Sequence, residues 1–90
     1  MKIIDSLVTQ AAAMATLRRD LHAHPELCFQ EVRTADLVAQ KLTEWGIPIH
    51  RGMGTTGVVG IVKAGTSDRA IALRADMDAL PMQEFNTFAH

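Results

Sequence analysis

Between Ile4 and Leu21, the apolar side chains at Ile4, Leu7, Val8, Ala11, Met14, Ala15 and Leu21 recur mainly at spacings of three and four. That spacing lines one face of an α-helix and predicts a helix over about 6–24. Asp5 or Ser6 can cap its start. Pro25 ends it, because the residue before a proline is pushed out of the helical region. Arg18, Arg19, His22 and His24 crowd toward its C-terminal end, where the helix dipole favours positive charge. A second stripe, Ala35, Val38, Ala39 and Leu42, predicts a helix over about 31–45. Gly46 then supplies a left-handed C-terminal cap. The connection 24–30 between the two helices is stiffened by Pro25.

After Gly46 the period changes. Ile47-Pro48-Ile49-His50 is a short alternating segment, and its Pro48 suits a strand start or an edge, which predicts a strand near 47–51. Gly52, Gly54 and Gly57 break the next stretch into a loop. Val58–Lys63 is nearly continuous apolar, as in a strand covered on both faces, and predicts a strand over 57–63. A turn over 64–68 leads into a strand over 69–75, so the last two strands are expected to form a hairpin. Within 69–75, Ile71 and Leu73 share one face, while Ala70, Ala72 and Arg74 share the other. The resulting fold class is α/β, with two N-terminal helices packed on a sheet that contains the 57–63/69–75 hairpin.

Composition narrows this picture. Ninety residues make one small domain at most. The apolar fraction is 48%, but 13 residues are Ala and bury little area each, so a deep pocket walled on all sides is not expected. A net charge of −1 gives no electrostatic reason to expect a nucleic acid or an anionic membrane as partner. A single cysteine, Cys28, excludes an internal disulfide framework and suits a reducing cytoplasm. Asp5, Ser6, Thr9 and Gln10 interrupt the N-terminal apolar run, so signal-peptide and membrane-span readings both fail. The expected location is cytoplasmic.

The residues with most chemical promise are Asp76 and Asp78, in Arg74-Ala-Asp-Met-Asp-Ala-Leu-Pro81. If the strand stays extended through Met77, side chains at 74, 76 and 78 point the same way, about 6.6 Å apart per step. Carboxylates so placed can converge on one divalent ion, or one can ligate while the other orients a ligand histidine. The alternative is that Asp78 caps a short helix and Asp76 pairs with Arg74. His22, His24 and Glu26 form a second cluster, but a two-residue spacing does not put both imidazoles on one helical face. A solvated, dipole-favoured helix terminus followed by a proline turn is the preferred reading of them. Glu31 reads as helix N-terminal charge and Cys28 as a small apolar filler. The glycines at 52, 54 and 57 do not make a phosphate loop, since no helix or Lys follows in the required place.

The ordered segments Leu17-Arg-Arg-Asp-Leu-His-Ala-His-Pro-Glu-Leu27, Glu31, Arg33-Thr-Ala35, Gly54-Thr-Thr-Gly-Val58 and Leu73-Arg-Ala-Asp-Met-Asp-Ala-Leu-Pro81 with Glu84 resemble the N-terminal part of M20-type metallo-amidohydrolases. The similarity is to the branch of hippurate hydrolases and N-acyl-amino-acid amidohydrolases. It spans nearly the whole chain but only the opening portion of the family's length. The resemblance implies that residues 1–90 are the N-terminal segment of an amidohydrolase catalytic domain, truncated before the metal-ligand motif. In related M20 peptidases a His-x-Asp motif occupies this strand end. Here Asp76 stands where that His would be, and Asp78 matches the Asp that orients a metal-bound histidine.

For the complete enzyme the resemblance implies two divalent metal ions, Zn or Mn, an N-acyl amino acid substrate, and a homodimer or homo-oligomer. The ions would polarise the amide carbonyl and activate water, with a downstream Glu moving the proton. The His-x-Cys-Gly-His motif, the Glu-Glu pair and the later His ligands of the family have no match in these residues, and Cys28 does not replace the ligand cysteine. Asp78 is therefore the one catalytic candidate, Asp76 lies in the metal-site vicinity, and no metal ligand is assigned within this chain. The chain alone is expected to be inactive and to bind Zn²⁺ or Mn²⁺ only weakly. A different reading is a non-catalytic α/β module that binds a partner or oligomerises through exposed sheet edges.

Overall fold

The computed structural model of the protein describes residues 2–88 and His90. Its elements are α1 (Asp5–Ala23), α2 (Val32–Glu44), β1 (Ile49–Met53) and β2 (Gly57–Gly60). Both helices lie where the apolar periodicity places them, within a residue at each end.

α2 is the better determined of the two. Its first amides are satisfied by a residue outside the helix. The Glu26 carboxylate accepts from the Arg33 N–H at 3.0 Å and from both the N–H and the hydroxyl of Thr34 at 2.6 Å. A carboxylate there answers the orphan donors and the positive end of the helix dipole together. At the other end Gly46 adopts φ +75, with Gly46 N–H donating to Thr43 O and Ile47 N–H to Leu42 O. That is the paired closure of a left-handed glycine cap. α1 has no such device. Its N-cap is Ile4, without a side-chain bond, so neither Asp5 nor Ser6 caps it as the sequence suggests. Asp5 lies one residue too far in, where its charge only complements the dipole.

β1 and β2 form a two-stranded antiparallel sheet, pairing Ile49 with Gly60, His50 with Val59 and Arg51 with Val58. A register shift between Arg51 and Met53 places Gly52, at φ +84, as the extra residue of a bulge. Gly54 and Thr55 both take positive φ in the connecting turn, the backbone sense that suits a tight hairpin. Gly57 permits close approach of the strands: a Cβ there would lie 2.3 Å from Met53 O. The sheet packs on α2, whose buried positions are Thr34, Ala35 and Ala39.

The expected hairpin between 57–63 and 69–75 is not formed. Residues 57–60 pair with 49–53 instead, the strand expected over 57–63 ends at Gly60, and 69–75 is not a strand. The glycine-broken 52–56 segment is a hairpin turn rather than a long loop. Its strands pack on α2, whereas 69–75 has no covering layer among the described residues: Ile71 is 90% exposed and Leu73 95%. Without such cover an apolar strand gains little from pairing, which overrides its local pattern. The consequence is an open shape. The radius of gyration is 15.5 Å, against about 12 Å for a compact domain of this length.

Candidate functional site

The connection between the helices brings the suspected chemistry together. His24 follows the last helical residue of α1, and its Nδ1–H donates to Asp20 O at 2.8 Å. Glu26 caps α2, so its role is structural. Glu31, 5% exposed, accepts from the Thr56 hydroxyl and ties the hairpin turn to the start of α2. Ala79 N–H donates to Glu26 O at 2.7 Å, which docks the Asp76–Leu80 segment against this connection. The Glu26 carboxyl is pulled up by burial, but the Thr34 side chain and the Thr34 and Arg33 amides outweigh that and hold it below the usual range.

Asp76 and Asp78 are both exposed. Asp76 pairs with Arg74 at 2.7 Å, as expected for side chains two residues apart on an extended segment. No helix follows Asp78 among the described residues, so it has none to cap. Neither aspartate joins a group of three potential metal ligands among the described residues. On their own these two carboxylates do not fit a two-cation centre, which needs three or four donors per ion. Cys28 is free and exposed rather than a buried filler.

A different set of ligand atoms does meet. One ligand atom each from His22, Glu84 and His90 lie within 4.8 Å of one another. His22 Nε2 is 3.5 Å from Glu84 Oε2, and the His22 and His90 rings are 5.1 Å apart at 69°. The Glu84 carboxyl is held below its usual range, first by the Asn86 side chain, against the opposing effect of burial, and further by the Asn86 amide, His90 and His22. This grouping was not legible in the sequence. His22 is more than sixty residues from the other two, and Glu84 and His90 lie in a segment without a regular period.

The chain is 49% identical over 84 residues to a hippurate hydrolase of Campylobacter jejuni, an alignment covering 93% of this chain and 22% of that protein. It is 42% identical over 88 residues to an N-acyl-L-amino acid amidohydrolase of Geobacillus stearothermophilus, covering 97% and 23%. Thermostable carboxypeptidase 1 of Saccharolobus solfataricus is 44% identical over 69 residues, covering 76% and 18%. The chain thus spans about a fifth of the length of the curated relatives it matches. No family model and no solved structure matches it.

Proposed function

We infer the function from one premise: this chain belongs to the M20-type amidohydrolases, matching the N-terminal part of its relatives. Its proposed role is to supply the opening segment of an enzyme that cleaves N-acyl amino acids, hippurate-like amides among them. The observation that carries this reading is the agreement over nearly the whole chain with a hippurate hydrolase and an N-acyl-L-amino acid amidohydrolase. The segment's contribution is the α2–hairpin unit and the Asp76–Leu80 stretch docked on Glu26. Asp78 serves as the residue that orients a metal-bound histidine supplied elsewhere in the complete enzyme, and Asp76 lies beside it. The donors in these residues do not assemble the family's two-cation centre, so the isolated chain is inactive on this reading. The apolar side chains left exposed at Ile71, Leu73, Phe85 and Phe88 support a segment that works within a larger body. A cytoplasmic location goes with that reading; among the described residues no helix is long and apolar enough to cross a membrane.

The test is hydrolysis of N-benzoylglycine by the isolated chain and by the complete protein that carries it, with Asp78→Ala and Lys63→Ala variants of the latter. The isolated chain should show no turnover. Loss of a residue that orients a metal ligand should lower activity or metal affinity about 10–100-fold, while Lys63→Ala stays near wild type. An Asp78 variant with full metal content and unchanged kcat would remove the catalytic assignment.

A further inference from the structure

We propose that His22, Glu84 and His90 form a binding site for one divalent cation of the zinc class, separate from the Asp76–Asp78 pair. Two imidazoles and one carboxylate are a donor set that suits Zn²⁺ and its neighbours. Ca²⁺ and Mg²⁺ prefer oxygen-rich surroundings and are poorly served by it.

The geometry is close to what an ion requires. Metal–ligand bonds of about 2.0–2.1 Å in a tetrahedral site put neighbouring ligand atoms roughly 3.3–3.4 Å apart. His22 Nε2 and Glu84 Oε2 are already at 3.5 Å, and all three ligand atoms lie within 4.8 Å. The remaining closure falls on Glu84 and His90, which lie outside any helix or strand. There a shift of an ångström or so displaces no packed core.

Two further features favour a cation at this place. His22 sits in the last turn of α1, at the negative end of that helix's dipole. His90 Nδ1 is 2.6 Å from Phe88 O. A carbonyl only accepts, so Nδ1 carries the proton and the lone pair stands on Nε2. A carbonyl on the far nitrogen is the common way a ligand histidine is oriented. The His22 and Glu84 side chains are 45% and 23% exposed, which leaves an ion a route in. Three protein donors leave a fourth position for water. A bound ion would clip Glu84 and His90, otherwise outside the sheet, onto the end of α1.

The experiment is a titration of the full chain with Co²⁺, read by its visible absorption bands, followed by competition with Zn²⁺ and with Mg²⁺. Expected is a single saturable site displaced by Zn²⁺ but not by Mg²⁺. His22→Ala, Glu84→Gln and His90→Ala should each raise Kd by about tenfold or more. Asp76→Asn and Asp78→Asn should leave it within about twofold of wild type. Glu84→Gln and His90→Ala lie outside the helices and the sheet, so they report on ligation even if His22→Ala disturbs α1. The proposal falls if binding does not saturate. It falls equally if the Asp76 or Asp78 variants weaken binding as much as the ligand variants, or if the ligand variants leave Kd unchanged.

Discussion

α1 and α2 both carry apolar side chains at helical spacing, but those of α2 gather on one face while those of α1 are spread more widely, and the two helices have opposite fates. α2, with 13 residues, buries Thr34, Ala35 and Ala39 against the hairpin, while α1, with 19 residues, buries none. The difference lies in that patterning and in what faces each helix. α2 is capped at both ends by specific bonds and has a sheet laid across its apolar stripe. α1 has no side-chain cap, and its Leu7, Val8 and Met14 are 58%, 58% and 43% exposed. A stripe of apolar residues predicts that a helix wants a partner; it does not supply one. The same lesson holds for 57–60 against 69–75: both are apolar runs, and only the first has α2 beside it.

The sharpest way to break this comparison is to place a charge on each helix. Ala35 is 2% exposed, so Ala35→Asp buries an unpaired carboxylate and should cost about 3 kcal/mol or more. Ala12 is exposed on α1, and Ala12→Asp should cost below about 1 kcal/mol, the difference in helix propensity alone. Urea denaturation followed by Trp45 fluorescence reads both, since Trp45 caps the C-terminal end of α2 and is the protein's one tryptophan. Equal shifts for the two variants would mean that α1 is packed as tightly as α2.

Much of this difference was legible in the sequence, and the exceptions are instructive. Both helices, the Gly46 cap and the start of β2 at Gly57 follow from local spacing and from the conformational freedom of glycine. Strand pairing does not. Residues 52–56 and 64–68 are both acceptable turns, so the chain could fold 57–60 back on either side. What decides is the placement of α2, a tertiary fact that no short window contains. The site divides in the same way. The Arg74–Asp76 pair follows from their two-residue spacing, and the role of Glu26 depends on an eight-residue reach to Thr34 that the Pro25 turn makes possible. The His22–Glu84–His90 grouping depends on where an irregular segment comes to rest, which carries no periodic signal.

A smaller effect tests the capping of α2 through its pH dependence. Glu26→Gln should cost about 1 kcal/mol at neutral pH, the usual worth of a helix cap. The folded Glu26 carboxyl titrates below its ordinary value of 4.5. The unfolded state therefore takes up the proton first as pH falls, and the stabilisation fades through the interval below about 4.5. Melting temperatures of wild type and Glu26→Gln should differ most above that interval and converge below it. A gap that stays constant across this range would mean that the charge of Glu26 plays no part in capping α2.

The smallest expected effect concerns what attaches α1 to α2 at all. Arg33 Nη2 reaches both carboxylate oxygens of Asp20, at 2.9 and 3.1 Å, joining the last turns of α1 to the first turn of α2. Both side chains are more than a third exposed, at 42% and 38%, so water and salt screen the pair. A double-mutant cycle with Asp20→Asn and Arg33→Gln should give a coupling of about 0.5 kcal/mol, and it should shrink toward zero near 1 M salt. Hydrogen exchange adds the structural readout. If this pair is the main tether, amides of α1 should exchange faster in either single variant while those of α2 around Ala35 and Ala39 keep their protection. Unchanged α1 exchange would shift the attachment to the apolar groove between the helices, lined by Met14, Leu17, Leu37 and Trp45. In that case the exposed face of α1 contributes more to the fold than its lack of buried residues implies.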